Sequence, residues 1–311
     1  MLNEIELVRD AYEKRDLEAL KILAKPTHRT INQKKDFRSV LMLSCHNLNH
    51  LLKIDSLDAD CIMLNLEDGV SKQDKPFGLV LCAIFLSHHK HCDKKLIVRV
   101  NALEEGGYEE IKYLKEFMPD AIRVPKIKNK EEVASVCKLL NESTELHLSI
   151  ETNEAWCNLL ELKIDKKVTT FYLGILDLFA DMHLSQALIT RDNPAVSYIL
   201  SHFLITCRVM GVKPVSFVYQ EHKNIQEFAM WLELEKKIGY DAKGCISPSQ
   251  ALLVNEMFQD SQKEITRAKN IIKLFELKRE EGITGFDDDM YGFIDEPIYK
   301  GALALLEKQK E

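Results

Sequence analysis

The chain has 311 residues, 46% of them hydrophobic, enough for one large domain with a filled core plus appendages. Its net charge is -7, with Lys and Arg interleaved among Asp and Glu, so no basic surface is left for nucleic acid. Eight scattered cysteines, none in a C-x-x-C pair, read as reduced thiols of a cytoplasmic protein.

The first residues, M-L-N-E-I-E-L-V-R-D, are acidic and amphipathic, unlike a signal peptide. The longest apolar run, 77–86, is too short to span a membrane, so neither membrane nor nucleic acid is an expected partner. Ile5, Val8 and Tyr12 recur at helical spacing, predicting helix over 2–24, stopped by Pro26. Residues 26–37 read as a polar linker, and 1–37 as an extension that packs on the main domain or on a partner.

From Arg38 a strand–helix alternation begins. Strands are predicted at 39–43, 61–66, 96–100, 121–124, 146–150, 169–173, 214–218 and 244–246. Helical segments between and after them fall near 46–53, 71–90, 107–118, 129–140, 153–162, 178–211, 223–239 and 248–257. Eight successive βα units predict an α/β fold, a TIM (β/α)8 barrel over 38–281. A doubly wound sheet is the alternative, and it needs fewer strands or a second domain. A further helix near 260–281 leads into an arm, 282–311, rich in Gly and Asp. The run 287–289 lacks the alternating ligands of a calcium loop and reads as a solvated turn. Ser-His-His-Lys-His-Cys at 87–92 reads as a solvated helix end.

Chemistry in a parallel α/β fold collects just past the strand C-termini. Glu151 follows strand 5 and Asp177 follows strand 6. If those strands are neighbours, the two carboxylates converge, and a hard cation such as Mg2+ suits the pair; two solvated loop acids remain the other reading. Glu67 and Asp68 follow strand 2, able to orient metal-bound water or to pair with a cation of strand 3, with helix capping by Asp68 as the alternative. Arg99 ends strand 3, where a guanidinium clamps a carboxylate in two bonds or pairs with Glu67. Lys126, after strand 4, is a candidate Schiff-base lysine or a structural one. No G-x-S-x-G, P-loop or G-x-G-x-x-G is present.

Taken in order, R-S-V-L-M (38–42), L-E-D-G-V (66–70), R-V-N-A-L (99–103), I-R-V-P-K (122–126), I-E-T (150–152), G-I-L-D (174–177) and K-G-C-I-S-P-S-Q (243–250) resemble the citrate lyase beta-subunit branch of the HpcH/HpaI aldolase family. The resemblance implies a barrel that cleaves or forms carbon–carbon bonds in carboxylated acids, often acyl-thioesters. It implies Mg2+ on Glu151 and Asp177, and substrate contacts from Arg38, Arg99 and Gly174. Glu67 and Asp68 match acids beside the metal. F-I-D-E-P at 293–297 resembles an arm that reaches a neighbouring subunit's site, with Asp295 as its acid, and such relatives are trimers or hexamers. Where relatives carry Pro-Gly after strand 1, this chain has Ser44-Cys45-His46, which predicts poor use of free thioesters.

The expected activity is therefore a Mg2+-dependent carbon–carbon lyase acting on 2-oxo or 3-hydroxy carboxylic acids or their thioesters, in a homo-oligomer. Its alternatives are a non-catalytic or regulatory metabolite-binding relative with a remodelled thioester pocket, and a lysine-dependent aldolase using Lys126.

Overall fold

The structure, a computed structural model, describes residues 2–259 and 261–308. Two compact units divide it: residues up to 33 with 37–258, and 34–36 with the residues from 259 on.

The first unit opens with α1 (Leu2–Glu13) and α2 (Leu17–Leu23). Then come β1 (Ser39–Ser44), α3 (Leu48–Leu51), β2 (Cys61–Asn65), α4 (Lys75–His88), β3 (Lys95–Arg99), α5 (Gly107–Leu114), β4 (Ala121–Val124) and α6 (Lys130–Leu139). The second half holds β5 (Glu145–Ile150), α7 (Asn153–Cys157), β6 (Val168–Leu173), α8 (Ile175–Asp181), α9 (Pro194–Val209), β7 (Lys213–Val215), α10 (Ile225–Ile238), β8 (Lys243–Cys245) and α11 (Pro248–Met257).

The eight strands run parallel in the order β7-β6-β5-β4-β3-β2-β1-β8. A bridge between Ser216 and Lys243 closes the ring, with Ser216 N donating to Ala242 O at 2.9 Å and Gly244 N to Ser216 O at 3.2 Å. This is the expected TIM barrel. Parallel strands place all C-terminal ends on one rim, and the acids that follow β2, β5 and β6 share it. Val40, Cys61, Ile97, Ala121 and Ala242 pack inside the barrel with Phe37, over whose ring the ammonium groups of Lys95 and Lys213 lie at 5.8 and 5.3 Å.

Local chemistry sets the helix boundaries. The single helix expected over 178–211 is two helices, because Asn193 caps α9 through Ala195 N at 2.9 Å and Pro194 opens it. The helix expected from 71 starts at Lys75, since Ser71 Oγ and Asp74 Oδ2 close a turn at 2.7 Å. At its end the imidazoles of His88 and His89 contact the Ile84 and Phe85 carbonyls at 2.8 Å, and the two residues finish the helix as expected.

Helices α1 and α2 lie against the barrel. Leu20 is fully buried, Arg15 pairs with Asp74 at 2.8 Å, and the Tyr12 hydroxyl donates to the His46 carbonyl. The expected linker is pinned rather than free. Arg29 is buried and grips Asp120 with Nη1 and Nη2 at 2.7 and 2.8 Å, while Asp120 also accepts the amides of Asn32 and Leu96.

The second unit consists of α12 (Gln262–Glu280), the antiparallel hairpin β9 (Gly285–Asp288) and β10 (Gly292–Asp295), and α13 (Glu296–Lys308). Helix α12, expected to close the barrel segment, packs with this hairpin and with α13. Phe275 stacks on Tyr299 at 4.5 Å, and Ile294 is fully buried with Ile271. The arm thus covers part of its own apolar load, while Met290 and Phe293 remain exposed. Asp288 Oδ1 accepts the Met290 and Tyr291 amides at 2.9 and 3.0 Å, which makes the acidic run a hairpin turn.

Candidate active site

Strand β2 ends at Asn65, and the chain turns through Leu66-Glu67-Asp68-Gly69. The Asn65 side chain shapes the turn, its Nδ2 donating to Asp68 O and its Oδ1 accepting Glu67 N at 3.3 Å. Gly69 completes it at φ 83°, a conformation that favours glycine. Glu67 is thereby turned inward and buried, against the equally buried Arg99 at the end of the adjacent β3.

Arg99 Nη2 pairs with Glu67 Oε2, and lies 3.6 Å from Asp68 Oδ2. Lys126 Nζ lies 3.4 Å from Glu67 Oε1. Two buried atoms here have no hydrogen-bond partner, Glu67 Oε1 and Arg99 Nε. Burial pushes the Glu67 carboxyl above its ordinary range against the opposing pull of Arg99.

Glu151 follows β5 and is buried. Its Oε1 accepts the amide of Lys126 at 2.8 Å, and Lys126 takes a left-handed φ of 53° to present that amide. Its other oxygen occupies a gap in β6's end. A Cβ at Gly174 would fall 2.5 Å from Glu151 Oε2 and 2.6 Å from Glu151 Cβ. Gly174 thus makes room for the Glu151 carboxylate. Strands β5 and β6 are neighbours, as the converging-acid reading required, and Asp177 lies exposed in the first turn of α8. Among the described residues no three His, Cys, Asp or Glu side chains form a metal cage. A magnesium ion keeps several waters and takes only one or two carboxylates, so it does not require such a cage.

The rim therefore brings Glu67, Asp68, Arg99, Lys126, Glu151 and Gly174 together. Arg38 is a correction. It precedes β1 and so lies at the opposite rim, where its amide donates to Asp60 Oδ2 at 2.7 Å and its Nη1 to Asn255 O at 3.0 Å. Asp295 belongs to the C-terminal unit, where its Oδ1 accepts Ile298 N at 3.2 Å and caps α13. For Lys126, burial pulls the amine down, but the charges of Glu67 and Asp68 outweigh it and raise the pKa above the ordinary range. A Schiff-base lysine needs the opposite shift.

Inward-facing polar residues deeper in the barrel escaped the sequence reading. Arg123, the register partner of Arg99, stacks its guanidinium 4.1 Å over the Tyr172 ring and donates to Ser149 Oγ at 2.9 Å. His147 lies below, 3.2 Å from the Tyr172 hydroxyl and 3.1 Å from Glu145, which Lys95 holds at 2.7 Å. The available signal was a charged or polar residue interrupting each apolar strand, as in I-R-V and L-H-L-S-I.

The sequence model of the HpcH/HpaI aldolase/citrate lyase family matches residues 38–248. A (3S)-malyl-CoA thioesterase of Cereibacter sphaeroides is 28% identical over 252 residues, 81% of this chain and 87% of the relative. The citrate lyase subunit beta of Haemophilus influenzae is 25% identical over 287 residues, 88% of this chain and 97% of the relative. Among solved structures, a citrate lyase from Burkholderia xenovorans superposes with a TM-score of 0.77 at 16% identity, covering 90% of this chain and 93% of that one. CitE from Mycobacterium tuberculosis, solved with magnesium, acetoacetate and coenzyme A, gives 0.70 at 18% identity, covering 89% and 100%. With the matching region spanning most of the barrel, the chain belongs to the HpcH/HpaI aldolase/citrate lyase family.

Proposed function

We propose that this chain is a Mg2+-dependent carbon–carbon lyase of the citrate lyase beta-subunit type, acting on 2-oxo or 3-hydroxy carboxylic acids. One observation carries the reading. The buried Glu67–Arg99 pair shares a strand-end rim with Glu151, whose carboxylate fills the gap left by Gly174. Relatives named citrate lyase subunit beta, and a related fold solved with magnesium, support it.

Glu151 and Asp177 would hold the cation, which when bound supplies positive charge at the oxygen of the carbonyl or hydroxyl being transformed. Arg99 gives one edge to Glu67 and keeps Nε free for a substrate carboxylate. Glu67 is the group we assign to proton transfer, because burial raises its carboxyl pKa and its Oε1 meets only the Lys126 ammonium, at 3.4 Å. Lys126 holds Glu151 by its backbone amide and neutralises Glu67 with its ammonium. Asp295 is assigned as an acid supplied across a subunit boundary.

The first βα turn favours free acids over thioesters. Cys45 is fully buried there, Ser44 Oγ lies 2.8 Å from His46 Nδ1, and Tyr12 holds the His46 carbonyl. Side chains and the N-terminal helix thus fill the turn.

Titration calorimetry of Mg2+ into the wild type, Glu151→Ala and Asp177→Ala tests the metal assignment, with loss of binding expected in each variant. Addition of oxaloacetate, pyruvate or glyoxylate with Mg2+ is expected to raise the melting temperature of the wild type. Unchanged Mg2+ binding in both variants refutes the assignment.

A further inference from the structure

Arg123 is a buried cation whose hydrogen bonds all go to neutral atoms. It is 6% exposed, and its hydrogen bonds run from Nε to Ser149 Oγ at 2.9 Å and from Nη1 to Met63 Sδ at 3.3 Å. Among the described residues no carboxylate forms an ion pair with it, and its Nη2 makes no hydrogen bond. A charge removed from water is costly unless paired. Barrel interiors are ordinarily filled by branched aliphatic residues, so a guanidinium in that layer needs a reason. Within the protein it is met by the face of the Tyr172 ring, 4.1 Å away, rather than by an anion.

Arg123 pairs in register with Arg99, on the adjacent strand and the same inward face. Arg99 also has an unpartnered buried nitrogen, its Nε. Beneath the rim, then, two guanidiniums each retain a donor that the protein leaves unused. Glu67, the buried acid of this rim turn, is already taken up by Arg99 and Lys126.

We infer that Arg123 is a specificity-determining residue, and that the pocket takes a dicarboxylate whose first carboxylate meets Arg99 and whose second meets Arg123. The inference rests on the rim being the ligand site, as proposed above. A short acid is required, since the two arginines are register neighbours on paired strands.

The test is a matched pair of ligands with Mg2+ present. Oxaloacetate and 2-oxobutyrate share a four-carbon chain and differ by a carboxylate in place of a methyl group. Titration calorimetry of the wild type is expected to show oxaloacetate binding at least about tenfold tighter. Arg123→Met is expected to abolish that preference while changing 2-oxobutyrate affinity by less than about twofold. Equal affinities in the wild type, or a preference that survives in R123M, overturn the inference and leave the lyase reading standing. Failure of the wild type to bind either acid overturns both. If R123M does not fold, a crystal structure of the wild type with oxaloacetate decides. A second carboxylate hydrogen-bonded to the Arg123 guanidinium supports the inference, and its placement on any other cation overturns it.

Discussion

Gly174→Ala separates a steric requirement from a conformational one. The residue sits at φ -94° and ψ 67°, so its φ is open to alanine. The added Cβ, however, falls 2.6 Å from Glu151 Cβ and 2.5 Å from its Oε2. Carbon atoms in contact sit ~3.5–4.0 Å apart, so β5 and β6 must separate by about 1 Å. Glu151 Cβ is fixed to the backbone and cannot rotate away, so the Gly174 N–Ile150 O hydrogen bond, 3.0 Å, takes the strain. Overpacking of this kind costs ~1–3 kcal/mol. At about 2–4 °C per kcal/mol for a domain of this size, the melting temperature falls by about 2–12 °C. Displacing the carboxylate should also weaken Mg2+ binding by about 10- to 100-fold. Scanning calorimetry with and without Mg2+ reads both effects. Gly301→Ala in α13 is the control, since no atom lies within 4 Å of its added Cβ and helical alanine gains ~0.5–1 kcal/mol. A Gly174→Ala protein that melts with the wild type and binds Mg2+ equally well refutes the role given to this glycine.

Arg29→Ala leaves the buried Asp120 carboxylate without its guanidinium, and an equilibrium denaturant titration should report a loss of ~3–5 kcal/mol. Glu145 supplies a pH signature. Burial pushes its carboxyl up, but His147 and Lys95 together hold it at about 2, below an unfolded value of ~4.3. That contribution is full above the unfolded value and is lost as pH falls toward about 2, at most ~3 kcal/mol. Glu145→Gln should flatten the acid limb of a stability–pH curve. Arg99→Lys keeps a cation beside Glu67 but loses the planar fork, and should weaken 2-oxo acid binding by about tenfold or more in calorimetry. Borohydride with a 2-oxo acid should trap no adduct at Lys126, as mass spectrometry would show, because its amine is held protonated by Glu67 and Asp68.

Much of this architecture is legible in the residue pattern. Short β-branched runs alternate with helical ones, and an acid directly after an apolar run, as at Glu67 and Glu151, marks a strand C-terminus whatever the strand order. Arg38 was misassigned because its motif extends to the residue before β1. The whole of β1, Ser39–Ser44, then lies between Arg38 and the C-terminal rim, which leaves its side chain at the opposite rim. Arg123, His147, Ser149 and Tyr172 were not legible as a set. Barrel strands are buried on both faces, so hydrophobicity does not say which parity points inward. The break between α8 and α9 was visible in Asn193-Pro194, a helix start signal inside an apolar stretch. The grouping of α12 with the hairpin was not, since an apolar stripe on a helix does not name the element that covers it.

The closure of the ring has a consequence for synthesis. Strand β1 leaves the ribosome about 200 residues before β8, which pairs its outer edge. At ~5–20 residues per second, that edge of Ser-Val-Leu-Met-Leu-Ser waits on the order of 10–40 s for its partner. An apolar strand with an unpaired edge is a template for pairing with other chains. Nascent chains halted before Lys243 should therefore aggregate or recruit chaperones, whereas chains released after β8 can close the ring and withdraw that edge.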